Sequence, residues 1–279
     1  MRFYPTARSA ARILIFSAAL FLCAFPAAAR DKAADRLNKG VSLMQGGDVD
    51  GAIREYRKAL QIDPNYPDAH NDLGLALEKK KDLDGAITEF RAALQLTPDD
   101  AVIHYNLGIA LRATGNSDAA ISEYQAAVRL NPDMVEARSN LGTLLDERGD
   151  LDGAIAQYRE VLRINPESAY PHNNLGTALY KKRDLDGAMA EYQLALKYKP
   201  DYAVAHFNMG VALFDKGEVD EAITEYKEAL ELNPAHAKSH YWLAKALMAK
   251  HLTGEAAREY AEARQLDPKL RPPANLAVK

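Results

Sequence analysis

Cysteine is nearly absent from this 279-residue sequence, and the only one is Cys23. It lies in an apolar N-terminal stretch, so the rest of the chain has no thiol for a disulfide, a cysteine metal site or a cysteine nucleophile. The sequence also lacks G-x-S-x-G, H-E-x-x-H and any glycine-rich phosphate loop. These absences predict a protein that is not an enzyme and that uses no cofactor and no metal ion.

An excess of basic residues is also missing. The chain has 35 Lys and Arg against 39 Asp and Glu, which gives a formal net charge of -4. A nucleic-acid partner requires clustered Lys and Arg that displace counterions from phosphates. We therefore expect no nucleic-acid partner.

Long apolar runs are confined to the N-terminus. Three arginines precede the stretch ILIFSAALFLCAF, and small residues follow it, with Ala27 and Ala29 as an A-x-A pair. This order is typical of a secretory signal peptide, here residues 1–29. The alternative is an uncleaved membrane anchor through residues 13–29, because about 17 residues is the lower limit for a span. The sequence predicts an exported bacterial protein, periplasmic or secreted, that contacts a membrane only if this segment is retained.

The remainder of the chain is periodic. A glycine returns every thirty-four residues in strings such as HNDLGLAL, HYNLGIAL and HNNLGTAL, and Ala244 takes the seventh place in the series. The period defines seven units: 33–66, 67–100, 101–134, 135–168, 169–202, 203–236 and 237–270. Repeats of this length stack in a line, each burying its apolar face against its neighbours. We therefore expect one solenoid over residues 30–270, followed by a short tail at 271–279.

Each unit is predicted to contain two helices. In the third unit Gly115 ends the first helix, because glycine readily adopts the left-handed conformation of a helix stop. A recurrent Asp is predicted to cap the second helix, at Asp50, Asp84, Asp118, Asp152, Asp186 and Asp220. Ala120 and the aromatic Tyr124 then face the first helix. Pro132 ends the second helix, since proline has no N–H to continue it.

These positions resemble the tetratricopeptide repeat pattern, W-x2-L-G-x2-Y…A-x3-F…P, over residues 33 to 270. The resemblance implies an all-α, right-handed superhelical solenoid of helix-turn-helix units whose first helices line a concave surface. The chain departs from the pattern at two positions. The Tyr position of the pattern holds Leu in this chain. The Trp position usually holds His, at His70, His104, His172, His206 and His240. Copies about 10 Å apart are too distant to share a metal with bonds of about 2 Å. Spacing thus favours a packing role over a metal or proton ladder.

Asparagine recurs two residues before the repeated glycine, at Asn106, Asn140, Asn174 and Asn208. Its side chain can both donate to and accept from a peptide unit. Copies about 10 Å apart match roughly three residues of extended peptide. The arrangement is similar to the asparagine ladder in the tetratricopeptide arm of O-GlcNAc transferases, although no catalytic domain follows residue 270. The alternative is that these amides only bond neighbouring helices.

The family's groove positions include several aromatic residues, at Tyr105, Tyr170, Phe207, Phe214 and Tyr241. Rigid aromatic side chains bury much area at little entropic cost, which suits an apolar or aromatic partner segment. The combined pattern predicts a non-catalytic scaffold that binds an extended segment of a protein partner in the concave groove. The alternative is a structural protein that self-associates or organises an envelope complex through its convex face.

Overall fold

The computed structural model describes residues 27–272. These residues form fourteen helices and no strand. The helices are α1 (Ala27–Gln45), α2 (Val49–Ile62), α3 (Pro67–Lys79), α4 (Leu83–Leu96), α5 (Ala101–Ala113), α6 (Ser117–Leu130), α7 (Val135–Glu147), α8 (Leu151–Ile164), α9 (Ala169–Lys181), α10 (Leu185–Tyr198), α11 (Ala203–Lys216), α12 (Val219–Leu232), α13 (Ala237–Ala249) and α14 (Thr253–Leu266). Odd-numbered helices are the first helices of successive units and even-numbered helices are the second. The expected all-α repeat fold is confirmed.

The helices stack in chain order. Each first helix packs against the second helix of its own unit, and each second helix packs against the first helix of the next unit. First helices also touch one another across units, as α3 touches α5 and α9 touches α11. No two successive second helices pack together to a comparable extent in the described part of the chain. Because the first helices lie closer together, they form the inner, concave side of the stack.

A close approach between the two helices of a unit explains the repeated glycine. A Cβ added to Gly108 would lie 2.6 Å from Cε1 of Tyr124. In the first, second, fourth, fifth and sixth units the corresponding distances are 2.4–2.8 Å. Tyr124 and the small Ala120 are completely buried. The glycine and the aromatic ring, both recognised in the sequence, thus form the packing joint of each unit.

The predicted helix caps are wrong by two residues. Asp50, Asp84, Asp118, Asp152, Asp186 and Asp220 all lie inside the first turn of their helices. The capping side chains stand earlier, as where Asp48 Oδ1 accepts a hydrogen bond from the N–H of Gly51 at 2.8 Å. A cap must precede the helical residues in order to reach their free N–H groups. Asp50 instead pairs with Lys80 of the next unit at 3.0 Å, and Asp220 pairs with Lys250 at 2.8 Å.

The buried apolar side chains fall into two clusters. The first extends from Leu37 to Leu144, and the second from Ala154 to Tyr260. Leu145 on α7 packs against both clusters. The division therefore lies inside the fourth unit, between its two helices.

The N-terminal prediction falls almost wholly outside the described residues. Residues 27–29 form the first turn of α1, whereas residues 1–26 are not described. Of the tail, residues 273–279 are likewise outside the described range. Among the described helices, none combines the length and the apolar character that a membrane crossing needs.

Candidate functional site

The four predicted asparagines lie on concave helices, and two of them bond to the preceding first helix through an amide pair. Asn106 on α5 donates from Nδ2 to Oδ1 of Asn71 on α3 at 3.0 Å. Asn208 on α11 donates in the same way to Oδ1 of Asn173 on α9 at 2.9 Å. The repeat pattern does not identify Asn71 and Asn173 as functional residues. Each stands immediately before the recurrent asparagine position, in the strings HND and HNN. These amides tie neighbouring units together along the groove.

The other two asparagines make weaker contacts. Asn140 donates to the hydroxyl of Tyr105 at 3.5 Å, and Asn174 accepts from Asn173 at 3.4 Å. Within the described residues the amide oxygens of Asn140 and Asn208 accept no hydrogen bond from the protein, and neither is buried. An amide has two N–H donors and one carbonyl acceptor, so these side chains retain capacity for a bound backbone.

The predicted aromatic residues lie on the same concave helices. Tyr105, Phe207, Phe214 and Tyr241 are half-buried, and Tyr170 is 57% exposed. These aromatic side chains make separate contacts and are not packed into one cluster. The ring centroid of Tyr105 lies 5.9 Å from that of Tyr124.

The part of the groove near the C-terminus has the most aromatic side chains. Phe207 contacts the ring of His236 at 5.0 Å between centroids, and Phe214 meets Trp242 edge-on at 5.8 Å. Trp242 stands where five units have asparagine and the second unit has Asp72. This region therefore exposes apolar ring surface to a ligand, whereas the middle of the groove exposes amide groups.

Two tyrosine hydroxyls behind the groove have no partner. In the fifth unit the hydroxyl of Tyr192 donates to Oγ1 of Thr177 at 3.3 Å. The residue equivalent to Thr177 is Ile109 in the third unit and Val211 in the sixth. Among the described residues the buried hydroxyls of Tyr124 and Tyr226 consequently have no hydrogen bond. Burial raises the pKa of Tyr124 to about 12 and raises that of Tyr226 further.

Each recurrent histidine joins the two helices of its unit to the preceding loop. Nδ1 of His70 lies 2.6 Å from Oε2 of Glu89, and Nε2 lies 3.0 Å from the carbonyl oxygen of Pro64. His104, His172, His206 and His240 make the same two contacts. A carboxylate and a carbonyl oxygen can only accept hydrogen bonds, so the ring can donate to both at once only when both of its nitrogens carry a proton. The geometry fits the packing role.

In two units arginine replaces the recurrent histidine and donates hydrogen bonds to the equivalent neighbours. In the fourth unit Arg138 donates from Nε to the carbonyl of Pro132 at 2.6 Å and from Nη1 to Oε1 of Gln157 at 3.0 Å. In the first unit Arg36 donates to Glu55 at 2.8 Å. Arginine has several N–H donors, so it can replace the histidine at a position whose neighbours accept hydrogen bonds.

Stability should decrease as the pH rises from 6 to 8. Hydrogen bonds to Glu89 and Glu225 raise the pKa of His70 and His206 against the opposing effect of burial. A folded pKa above the unfolded value of about 6.5 gives stabilisation that is complete at lower pH. It is lost as the pH rises through the folded pKa. Thermal melts between pH 5.5 and 8.5 measure this loss.

The chain itself supplies the control for this pH dependence. The double variant His70→Arg, Glu89→Gln copies the pair found at Arg138 and Gln157. It should melt with a shallower pH dependence than the parent, because one titrating ring is gone. An equal slope in the two proteins, or a parent that gains stability across this range, would contradict the charged-histidine interpretation.

The fold and the repeated packing joint define a helical-repeat solenoid. The family description "TPR repeat" matches residues 40–81, 79–115, 178–217 and 212–250, and "Tetratricopeptide repeat" matches residues 105–169. The chain belongs to the tetratricopeptide repeat family. A comparison with curated protein sequences finds no match.

Solved structures of the same family resemble the chain. The crystal structure of MamA is 25% identical, with a TM-score of 0.55 over 58% of this chain and 95% of that one. The C-terminal part of a TPR repeat-containing protein from Cytophaga hutchinsonii has a TM-score of 0.69 at 18% identity, over 84% of this chain and 96% of that one. YrrB, described as a TPR protein with an unusual peptide-binding site, is 23% identical with a TM-score of 0.54, over 64% and 93%. The likenesses below 25% identity show the fold alone.

Proposed function

We propose that this protein is an exported, non-catalytic scaffold that binds an extended segment of another protein along its concave groove. The observation that carries the proposal is the row of amides at one repeat position on successive concave helices. Among residues 27–272, no hydrogen bond reaches the amide oxygens of Asn140 and Asn208, and Asn174 is only half-buried. Tetratricopeptide repeats are generally protein-binding scaffolds without catalytic activity.

The aromatic part of the groove supports the same proposal. Half-buried Phe207 and Phe214 and exposed Tyr170 offer ring surface to apolar side chains of a partner. Amides would hold the partner's backbone, and the rings would select its side chains. The peptide-binding site named for YrrB places peptide recognition in a protein of this fold. The partner class proposed is therefore a protein segment.

A pull-down from envelope extract tests the proposal. The bait is the purified protein, beside a variant with Asn106→Ala, Asn140→Ala, Asn174→Ala and Asn208→Ala. We expect captured segments to bind the variant at least about tenfold more weakly, because each loses backbone hydrogen bonds worth about 1 kcal/mol. N-terminal sequencing of protein recovered from the envelope fraction should begin at Arg30 if residues 1–29 are a cleaved signal.

The control separates binding from folding. Four asparagines outside the groove, Asn65, Asn131, Asn165 and Asn233, are replaced by Ala in a matched variant, which should bind as the parent does. The bonds of Asn106 and Asn208 between units make the quadruple variant less stable, so circular dichroism must show that it is folded. The variant Asn140→Ala, Asn174→Ala removes only the contacts of 3.5 and 3.4 Å and provides a milder test. Equal binding by parent and folded variants would exclude the asparagine ladder.

A second candidate function rests on the outer ends of the second helices. An apolar residue recurs at the last position of these helices, and Leu96, Leu130, Leu232 and Leu266 are 37–43% exposed there. Partly exposed apolar residues that recur on the second helices suit self-association or assembly of an envelope complex. Sedimentation distinguishes the two candidates, because the groove scaffold is a monomer without its ligand and the structural protein is an oligomer.

A further inference from the structure

Charged residues of opposite sign occupy the two ends of the concave groove. Asp68, Asp72 and Glu78 lie on α3 in the second unit. Lys238 and Lys245 lie on α13 in the seventh unit. The concave positions of the fifth and sixth units carry no charge between them, apart from Asp215 at the edge. The groove is therefore acidic near its N-terminal end and basic at its C-terminal end.

The acidic end contains a recess with a carboxylate in its wall. The recess has a volume of about 170 Å³ and is lined by Val41, Met44, Gln45, Tyr56, Asp72 and Leu75. No Lys, Arg or His lies within ion-pair distance of Asp72 or Glu78 in the described chain. Burial raises the pKa of both carboxyl groups. A partly buried carboxylate without a cation is unfavourable.

The basic end of the groove has a half-buried lysine, Lys245, beside two aromatic rings. Nζ of Lys245 lies 3.6 Å from the ring centroid of Trp242 and 5.3 Å from that of Phe214. No carboxylate of the described chain forms an ion pair with it. Burial lowers the pKa of Lys245, and the charge of Asp215 only partly opposes that effect. The ammonium group lies beside the aromatic rings and forms no ion pair within the described residues.

Several other charges on the concave helices form ion pairs. Asp146, another acid on a concave helix, pairs with Lys181 at 2.6 Å. Arg112 pairs with Glu147 at 3.0 Å. On the outside, ion pairs between successive units recur along the stack, as between Asp220 and Lys250. Asp72, Glu78 and Lys245 differ from these charges because they form no ion pair within the described residues.

We propose that the groove selects its partner by the order of charges along the segment. A Lys or Arg side chain enters the recess at Asp72, on the helix that also carries Glu78, and a carboxylate binds Lys245. The apolar walls of the recess suit the aliphatic stem of such a cation, whose charged end would reach the carboxylate. The inference rests on the proposed function, because it requires the segment to lie in the groove.

The spacing of the two ends sets the length of the segment. The second and seventh units are five repeats apart, which is about 50 Å at about 10 Å for each packed helix pair. An extended chain covers that distance with about 15 residues at about 3.3 Å each. The partner is therefore a segment of about 15 residues with a basic end, an apolar or aromatic middle near Phe207 and Phe214, and an acidic end.

Fluorescence anisotropy with labelled 18-residue peptides tests the charge order. Two peptides carry three Lys at one end and three Glu at the other, in the two chain directions, and a third has the same composition with the charges alternating. We expect at least one block-charged peptide to bind about tenfold more tightly than the alternating peptide. Lys245→Met, or Asp72→Asn with Glu78→Gln, should abolish that difference. The controls Lys250→Gln and Asp50→Asn change exposed, paired charges outside the groove and should preserve it.

The outcomes separate this inference from the proposed function. If all three peptides bind equally and the quadruple asparagine variant weakens them equally, groove binding stands and charge selection is overturned. If no peptide binds, charge selection is overturned, and the pull-down with the asparagine variants still decides whether the groove binds a protein segment. A second measurement needs no ligand: Asp72→Asn and Lys245→Met should each raise the melting temperature, because each removes a partly buried charge that lacks a counter-ion. A lower melting temperature in both variants would overturn the premise that these charges are uncompensated.

Discussion

Replacing Gly108 with Val should reduce the free energy of unfolding by about 3 kcal/mol, at the upper end of the usual cost of overpacking. The added Cβ would lie 2.6 Å from Cε1 and 2.7 Å from Cδ1 of Tyr124. The ring is completely buried and has no free space into which it could move without separating the two helices. The two additional methyl groups of valine make that separation larger. Urea denaturation followed by circular dichroism measures the change.

Two other substitutions define the scale of this effect. Gly108→Ala should cost less than the valine variant, because the seventh unit already has Ala244 at this position, with Tyr260 buried in the same unit. Gly254→Ala in α14 should be neutral or slightly stabilising, since nothing lies within 4 Å of its added Cβ and alanine favours helix. If Gly108→Val unfolds at the same urea concentration as the parent, the close approach of the helices is not what requires glycine.

The packing joint could be predicted from sequence because it is built within one unit. Gly108 and Tyr124 are sixteen residues apart, and their repetition in register identifies them as partners. The cap could not be placed equally well, because Asp48 and Asp50 are both compatible with a helix start. Only the first helical residue decides between them. Local patterns thus predict the fold and leave individual side-chain roles open.

The groove depends on contacts between units, which a repeat pattern does not reveal. Asn106 bonds to Asn71, thirty-five residues away and at a different repeat position. Asp50 and Asp72 look alike in sequence, yet Asp50 pairs with Lys80, whereas Asp72 forms no ion pair within the described residues. Whether a charge is compensated depends on the side chains that the neighbouring helix presents. For this reason the charge polarity of the groove follows from the structure and not from the motif.

Replacing Leu145 with Ala should divide the cooperative unfolding of the stack into two transitions. A linear repeat array is stabilised by its units and by the interfaces between neighbours. Leu145 is the side chain that packs against both apolar clusters, and it is only half-buried, unlike the equivalent Leu111, which is 3% exposed. Its truncation should cost about 2 kcal/mol, at the lower end of the range for leucine.

Leu111→Ala provides the matched control for this prediction, because the equivalent leucine lies inside the first cluster. That variant should lose more stability than Leu145→Ala and still unfold in one transition. Hydrogen exchange should show residues before and after the fourth unit opening at different free energies only in the Leu145 variant. Single transitions in both variants would mean that the interface in the fourth unit is as cooperative as the others. Two transitions in the Leu145 variant would instead identify that interface as the least stable one in the stack. A ligand that spans the groove would then stabilise the protein by joining its two halves.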